Sequence, residues 1–353
     1  MKKQHSSNEM RPPRTEVGKL GWLKKNLFST WYNIVLTIIA ITVLYLLLNN
    51  VIRWVLFEAR WEVVAANIKV FLIGRYPTKE TGRIFLSLFI VITLSVLTWL
   101  FRKKKSVRRW IVVGWLVSFP VIGILLVGFV RGGSFMPLVS EAMWGGLLLT
   151  LILAITAIVV SFPLGILLAI GRRSKLPVIR IICTVYIETI RGVPLISILF
   201  MSQLMLPLFL PPQIRLGTVL RALTGITLFS AAYTAENIRG GLASVPIGQY
   251  DAAKALGLNK VLMLVFVILP QAIRVVIPAI VGQFISLFKD TTLVVIVGLL
   301  ELLGIAKSVT AQKEFIGLHM EVYCFVALIF FICCYSMSSA SKRLEEKLGV
   351  GKR

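Results

Sequence analysis

The chain has 353 residues, of which 57% are hydrophobic and only 15% are charged, and its mean hydropathy is +0.87. A water-soluble domain cannot bury so large an apolar fraction, so the composition excludes a soluble protein and indicates one embedded in a membrane. The net charge of +24 does not indicate nucleic-acid binding, because the basic residues cluster at the ends of apolar runs and form no stripe interleaved with aromatic residues.

Eight apolar runs follow one another along the chain, and each is about long enough to cross a bilayer, which takes about 20 residues for a core of roughly 30 Å. They cover residues 31–57, 83–101, 110–130, 145–170, 193–210, 216–238, 261–288 and 322–339. No alternating strand pattern is present, so helices must satisfy the backbone in lipid. The sequence therefore predicts an all-α polytopic membrane protein with about eight transmembrane helices.

The positions of Lys and Arg predict the orientation, since cytoplasmic loops carry an excess of these residues. Basic clusters precede the first span and follow the second, fourth and eighth, so both termini are predicted to be cytoplasmic. These clusters are Lys2, Lys3, Arg11, Arg14, Lys19, Lys24 and Lys25; residues 102–105 with Arg108 and Arg109; Arg172, Arg173, Lys175 and Arg180; and Lys342, Arg343 and Lys347. The predicted outer segment 58–82 departs from the rule, because it also carries Arg60, Lys69, Arg75 and Lys79.

The chain divides into two unequal parts. Residues 1–30 are a basic cytoplasmic head, and residues 31–131 contain three helices with an external segment. A short polar joint, residues 131–135, follows. From residue 141 to residue 342 the predicted helices carry prolines and ionisable residues, which are costly in lipid and mark the functional half. The tail, residues 343–353, is predicted to be cytoplasmic and has no assigned function.

The loop after the sixth predicted span, residues 244–258, indicates a short cytoplasmic helix. Ser244 is its predicted N-cap, Pro246 lies in its first turn, and Gly257 is its predicted C-terminal stop. Ala252 and Ala253 are small enough to let another surface approach, which suits docking into a groove on a partner protein. The pattern alone also fits a simple connector between two spanning helices.

This loop resembles the cytoplasmic coupling loop of ABC importer permeases, whose pattern is Glu-Ala-Ala, three residues, Gly, nine residues, Ile, one residue and Leu-Pro. The corresponding residues are Asp251, Ala252, Ala253, Gly257, Val267, Leu269 and Pro270. Asp251 replaces Glu and Val267 replaces Ile, and both changes preserve the chemistry. The resemblance extends over about residues 145–342. It is strongest to the polar amino-acid branch, in segments 186–195, 233–241, 269–272 and 289–293. With the three additional helices, the chain is similar to a general L-amino-acid permease subunit.

The resemblance implies that the last five helices form a type I permease core in the bacterial cytoplasmic (inner) membrane. The residues expected to couple to the ATPase are Asp251, Ala252, Ala253, Gly257, Leu269 and Pro270. The implied partners are a cytoplasmic ABC ATPase dimer, a second and related but different permease chain, and an extracytoplasmic amino-acid-binding protein. The chain has no Gly-x-x-x-x-Gly-Lys-Ser/Thr phosphate loop, so ATP and Mg are expected on the partner ATPase and not on this chain. It is therefore not expected to be an enzyme.

Charged residues in the predicted spans are the candidates for the translocation path. Glu188 and Arg191 are three residues apart and share a helix face, as do Glu236 and Arg239. Such pairs line the path, lock helices together, or form simple ion pairs near the cytoplasmic helix ends. A second set, Lys289, Asp290 and Thr291, lies at a predicted outer helix end. It offers groups for both charges of an amino acid, and a structural turn or a contact with the binding protein is the alternative.

Other classes of function fit the sequence less well. An ion-coupled secondary amino-acid transporter is the main alternative, and such transporters are typically built from repeats, of which this sequence shows none. An intramembrane hydrolase is disfavoured, because Asp251 and Asp290 do not form a pair and the chain lacks both an HExxH and a GxSxG motif. A permease-like sensor or scaffold is a third alternative. The four cysteines lack the spacing of a zinc site, and no metal is expected.

Overall fold

The computed structural model describes residues 19–101, 104–128 and 136–349. These residues divide into two compact units, one ending at Trp61 and one beginning at Glu62. The predictions for residues 1–18, for Arg102 and Lys103, for residues 129–135, which include the whole polar joint, and for the last four residues lie outside the described residues. The described part of the chain consists of helices and connecting turns without a β-strand, which confirms the predicted all-α class.

The first unit contains α1 (Lys19–Leu27) and α2 (Trp31–Arg53), and α2 continues into a π-helical turn (Trp54–Glu58). Almost all apolar side chains of α2 are exposed within the chain, as expected for a helix that faces lipid. The turn at its end is held by an ion pair of 3.1 Å between Arg53 and Glu58.

The second unit begins with α3 (Glu62–Ile73), a helix that the sequence analysis placed within an external segment and did not predict. A hairpin of α4 (Thr81–Leu100) and α5 (Lys105–Val127) follows it. The remaining helices are α6 (Gly146–Arg172), α7 (Pro177–Gly192), α8 (Leu195–Phe200), α9 (Thr218–Ser244), α10 (Ile247–Ala255), α11 (Lys260–Leu262), α12 (Leu269–Asp290), α13 (Leu302–Thr310) and α14 (His319–Leu348).

Six helical stretches of the described chain are long and apolar enough to cross a membrane. They cover residues 31–58, 78–100, 107–127, 146–172, 260–297 and 319–348. A seventh combines α7 with the segment 195–209, which is bent away from it by 110°. The bend lies at Val193, which is held in an extended conformation by the following Pro194. The predicted fifth span, residues 193–210, is therefore one arm of a broken span.

The predicted sixth span corresponds to α9, which is long enough to cross a membrane but more polar than the six stretches named above. Its faces pack against α6, α7 and α12, so small and polar side chains occupy positions that face lipid in the other helices. The expected number of about eight transmembrane helices is approximate for this reason.

Three glycines form a tight backbone junction between α3, α6 and the segment before α13. The backbone of Gly74, just after α3, lies against that of Gly145. Gly146 has a φ of +61°, and its N–H donates to the carbonyl of Leu300 at 3.0 Å. A Cβ on Gly146 would lie 2.3 Å from the carbonyl oxygen of Phe71. This glycine junction (Gly74, Gly145 and Gly146) therefore has no room for a side chain at Gly146.

We expect the substitution Gly146→Ala to destabilise the protein, because the positive φ alone costs a non-glycine residue about 1–3 kcal/mol and the Cβ also collides with α3. The midpoint of thermal unfolding in detergent should fall by several degrees. Gly123→Ala in α5 is the matched control, since nothing lies within 4 Å of the added Cβ and helix propensity favours alanine. Equal midpoints for the two variants would contradict the close packing described above.

Candidate functional site

The predicted coupling helix is present as α10, but it begins at Ile247 and not at Ser244. The prediction that Ser244 is its N-cap is wrong. Ser244 is the last residue of α9, and its hydroxyl donates to the carbonyl of Gly241 at 2.8 Å. The break lies at Val245 and Pro246, both extended, because a residue that precedes proline avoids the helical conformation.

The other end of α10 agrees with the prediction. Gly257 has a φ of +72°, and its N–H donates to the carbonyl of Lys254 at 2.9 Å. The N–H of Leu258 donates to the carbonyl of Ala253 at 3.2 Å. These two hydrogen bonds form a Schellman motif, which ends a helix at a residue with positive φ and so favours glycine.

Two large apolar side chains, at the two ends of α10, are uncovered within the chain. Ile247 is 77% exposed and Leu256, which follows the last helical residue, is 79% exposed. Ala252 is also exposed, whereas Ala253 is buried against the chain, so only one of the two alanines is open to a partner. Because these side chains lie outside the spanning helices, their exposure indicates a surface for another protein.

Polar contacts attach α10 to three spanning helices. The Gln271 side chain of α12 donates from Nε2 to Oε1 of Gln249 at 3.0 Å. Arg173, at the end of α6, donates from Nη1 to the Tyr250 hydroxyl at 3.3 Å. That hydroxyl donates to the carbonyl of Leu242 in α9 at 3.4 Å. These hydrogen bonds connect α10 directly to α6, α9 and α12.

Leu269 and Pro270 of the coupling pattern lie at the start of α12, directly after a π-helical segment (Met263–Ile268). Proline has no N–H, and in a regular α-helix its ring collides with the carbonyl four residues earlier. A wider π-helical turn before Pro270 accommodates this, and such turns are frequent at functional sites. The next residue is Gln271, which contacts α10.

Five charged side chains meet where α6, α7 and α9 come together, and we call them the charge cluster (Arg172, Glu188, Arg191, Glu236 and Arg239). Arg172 donates to Glu188 at 2.6 Å and to Glu236 at 3.1 Å. Glu236 also pairs with Arg239 at 2.6 Å and lies 3.6 Å from Arg191.

The predicted pair of Glu236 and Arg239 is thus present, whereas the predicted pair of Glu188 and Arg191 is wrong. Glu188 pairs with Arg172 instead. The prediction considered only neighbours on one helix, and the end of α6 brings a closer guanidinium between α7 and α9.

The charge cluster contains three guanidinium groups and two carboxylates, so it has an excess positive charge. Arg191 gains a further contact, because its guanidinium lies 5.5 Å from the centre of the Tyr233 ring. The side chains of Arg172 and Glu236 are each 23% exposed, so the cluster is partly accessible. This arrangement joins three helices through ion pairs.

A polar network that the sequence analysis missed joins α6, α9 and α12 nearer the middle of the bundle. Gln283 of α12 donates from Nε2 to the carbonyl of Ser230 and to the hydroxyl of Thr234, both at 2.9 Å. Asn237 donates to Oε1 of Gln283 at 2.6 Å, and the hydroxyls of Ser230 and Ser161 lie 2.9 Å apart. The presence of Gln283 and Asn237 within apolar spans could have indicated this network. The sequence analysis considered only charged residues in the spans and therefore did not consider these two.

The second predicted set lies at the far end of α12. Lys289 is exposed and Asp290 is half-buried, and no ion pair joins the two in the part of the chain that the structure describes. Thr291 is fully buried, and its hydroxyl donates to the carbonyl of Phe288 at 2.7 Å. In this conformation the Thr291 hydroxyl is therefore used in a hydrogen bond that stabilises the end of α12.

Glu301 is a buried carboxylate at this far end that the sequence analysis did not single out. Its side chain is fully buried and accepts hydrogen bonds from the N–H groups of Leu303 and Gly304, each at 2.8 Å. Glu301 is thus the N-cap of α13, a position where a carboxylate is favoured by the orphan N–H groups of the first turn.

Known proteins are similar to this chain in sequence and in fold. The sequence profile described as binding-protein-dependent transport system inner membrane component matches residues 161–350, which include α10 and the charge cluster. The inner membrane amino-acid ABC transporter permease protein YhdY of Escherichia coli strain K12 is 40% identical over 94% of this chain and 93% of its own length. The glutamate/glutamine/aspartate/asparagine transport system permease protein BztC of Rhodobacter capsulatus is 36% identical over 95% of each chain.

A solved structure, titled an amino acid ABC transporter with histidines, is 29% identical and superposes with a TM-score of 0.51, covering 57% of this chain and 92% of its own. The predicted resemblance to permeases of the polar amino-acid branch is confirmed by these relatives, and they do not favour an ion-coupled secondary transporter. Since the profile matches more than half of the chain, the chain belongs to the binding-protein-dependent transport system inner membrane component family and is a multi-pass permease of a bacterial ABC transporter.

Proposed function

We propose that this chain forms part of the translocation path of an ATP-driven amino-acid importer and that α10 is the helix on which its ATPase docks. The observation that carries the proposal is the exposure of Ile247 and Leu256, at the two ends of a short helix that hydrogen bonds connect to α6, α9 and α12. The names of the relatives support amino acids as the substrate class, and polar or broad-range L-amino acids are the expected members of it.

The proposed assembly contains two permease chains, an ABC ATPase dimer and an extracytoplasmic amino-acid-binding protein. The second permease is a related but different chain, and ATP and Mg bind to the ATPase. Both termini and α10 lie on the cytoplasmic side in this proposal. Contacts within the chain support it, since residues predicted on one side of the membrane meet each other, as Arg173 meets Tyr250 and Gly146 meets Leu300.

In this proposal ATP binding closes the ATPase pair and moves α10 together with the helices attached to it. Asp251, Ala252 and Gly257 shape the docking helix, while Leu269 and Pro270 fix the start of α12. The charge cluster then acts as a lock that holds α6, α7 and α9 together at the coupling end until α10 moves. At the far end, Lys289 and Asp290 are proposed to meet the substrate or the binding protein.

We expect Ile247→Glu and Leu256→Glu to prevent docking of the ATPase, because each places a charge in an apolar interface and leaves the exposed helix otherwise intact. Co-purification of the ATPase with the permease in mild detergent measures this directly. Lys175→Glu, an exposed charge change in the α6–α7 loop, is the control and should retain the ATPase. Retention of the ATPase by both test variants would refute docking on α10.

We expect Gln249→Ala and Gln271→Ala to lower amino-acid import per ATP hydrolysed while the ATPase stays bound, because each removes the contact between α10 and α12. Import and hydrolysis by the reconstituted transporter give this ratio. The double variant should import as much amino acid per ATP hydrolysed as either single variant, since the two side chains share one hydrogen bond. Additive losses in the double variant would show that the two residues act separately.

We expect Glu236→Gln to lower stability more than Glu188→Gln. Glu236 contacts three arginines and is 23% exposed, so its loss should cost roughly 1–3 kcal/mol. Glu188 has one such contact and is 54% exposed, so its loss should cost about 0–1 kcal/mol. Thermal unfolding of the two variants in the same detergent tests the order, and the reverse order would argue against Glu236 as the centre of the lock.

A further inference from the structure

The helix α3 lies before the part of the chain that matches the family profile, yet it is built into the permease core. Val63 and Phe71 are fully buried and pack with residues of α13 and α14. The Phe71 ring lies 5.3 Å from that of Phe325 in α14. Together with the glycine junction, these contacts fix the position of α3 relative to α6, α13 and α14.

Three basic side chains lie at the end of this fixed helix and in the turn after it, and we call them the basic turn (Lys69, Arg75 and Lys79). All three are exposed. Lys69 donates from Nζ to the Thr78 hydroxyl at 2.7 Å, which brings the end of α3 next to the turn. An ammonium group has three N–H donors, so Lys69 keeps two for another partner.

Among the described residues, no carboxylate pairs with the basic turn. Glu80 pairs with Arg83 at 2.7 Å instead. Glu62 lies seven positions before Lys69, which is about 10 Å along a helix. Within the described residues, none of the three basic side chains makes an ion pair, so their charge is available to a partner.

The location of the basic turn is also unusual for a membrane protein. The end of α3 contacts Gly145 and Gly146, which lie at the end of the bundle opposite to α10. In the proposed orientation this is the outer side, where short loops ordinarily carry few Lys and Arg residues. Three of the residues that depart from the rule, Lys69, Arg75 and Lys79, therefore lie at the end of a packed helix and make no ion pair within the described residues.

We infer that the basic turn is a docking surface for a carboxylate-rich face of the extracytoplasmic amino-acid-binding protein. The inference rests on the proposed function and assigns a role to the added helix α3. Charge complementarity of this kind accelerates encounter and sets the orientation of the partner. A folded partner carries its own charges in fixed positions, so it can match basic groups placed beside the starts of α6 and α13. Lipid headgroups are fluid and can rearrange around basic groups in any position.

The test uses the complete transporter in vesicles of zwitterionic lipid, with amino-acid import measured against the concentration of added binding protein. The triple variant Lys69→Gln, Arg75→Gln and Lys79→Gln should raise the half-saturating concentration roughly tenfold at low salt and leave the maximal rate unchanged. High salt should raise the half-saturating concentration of the unmodified transporter towards that of the variant, because salt screens exposed charges. The matched control, Lys342→Gln with Arg343→Gln and Lys347→Gln, removes the same charge near the opposite end and should leave half-saturation unchanged.

An unchanged half-saturating concentration in the triple variant, with normal import, would overturn this inference and leave the proposed function intact. Absence of ATP-dependent import by the unmodified transporter would instead refute the proposed function. An effect seen only when the vesicles contain anionic lipid would assign the basic turn to headgroups and also overturn the inference. If the triple variant does not fold, the single change Lys79→Glu tests the same surface and should shift half-saturation in the same direction.

Discussion

The close packing of α9 against α6 and α12 is the constraint on which both parts of the site depend. Ala231 and Ala235 are fully buried, and a Cβ on Gly241 would lie 2.5 Å from the carbonyl of Ala272. Helices in lipid associate through such small residues and through polar contacts, because lipid supplies no hydrophobic force between them. The network around Gln283 and the charge cluster around Glu236 are both built on this packing, and separation of α9 from its neighbours would break both together.

The end of α6 is the place where α10 and the charge cluster meet. Arg172 and Arg173 are consecutive, yet they serve different partners: Arg173 contacts Tyr250 of α10, and Arg172 contacts the two carboxylates of the charge cluster. A movement of α10 that pulls on Arg173 therefore acts on the neighbouring residue, which holds α7 and α9. In physical terms, the residue that contacts α10 and the residue that contacts the charge cluster are separated by a single peptide bond, so the proposed docking helix and lock would be coupled locally.

The sequence predicted those features that depend on local signals. The apolar runs indicated the spanning helices. Gly257 indicated the end of α10, because the positive φ that ends this helix is a property of that one residue. Features that depend on tertiary contacts could not be predicted. The partner of Glu188 is sixteen residues away on another helix, and the network of Gln283 joins residues more than forty positions apart. The helix α3 is short, and its burial is decided by residues near the other end of the chain.

The π-helical segment before Pro270 has a consequence for the direction in which the docking surface faces. Each residue of an α-helix turns the chain by about 100°, and a π-helical turn accommodates one residue more than an α-helical turn does. Rewinding Met263–Ile268 as a regular α-helix would therefore rotate everything before it about the axis of α12 by about that angle. Gln249 would leave Gln271, and the side of α10 with Ile247 would face elsewhere. The extra residue thus sets the rotational register between the docking helix and the spanning helix, which no side chain alone could do.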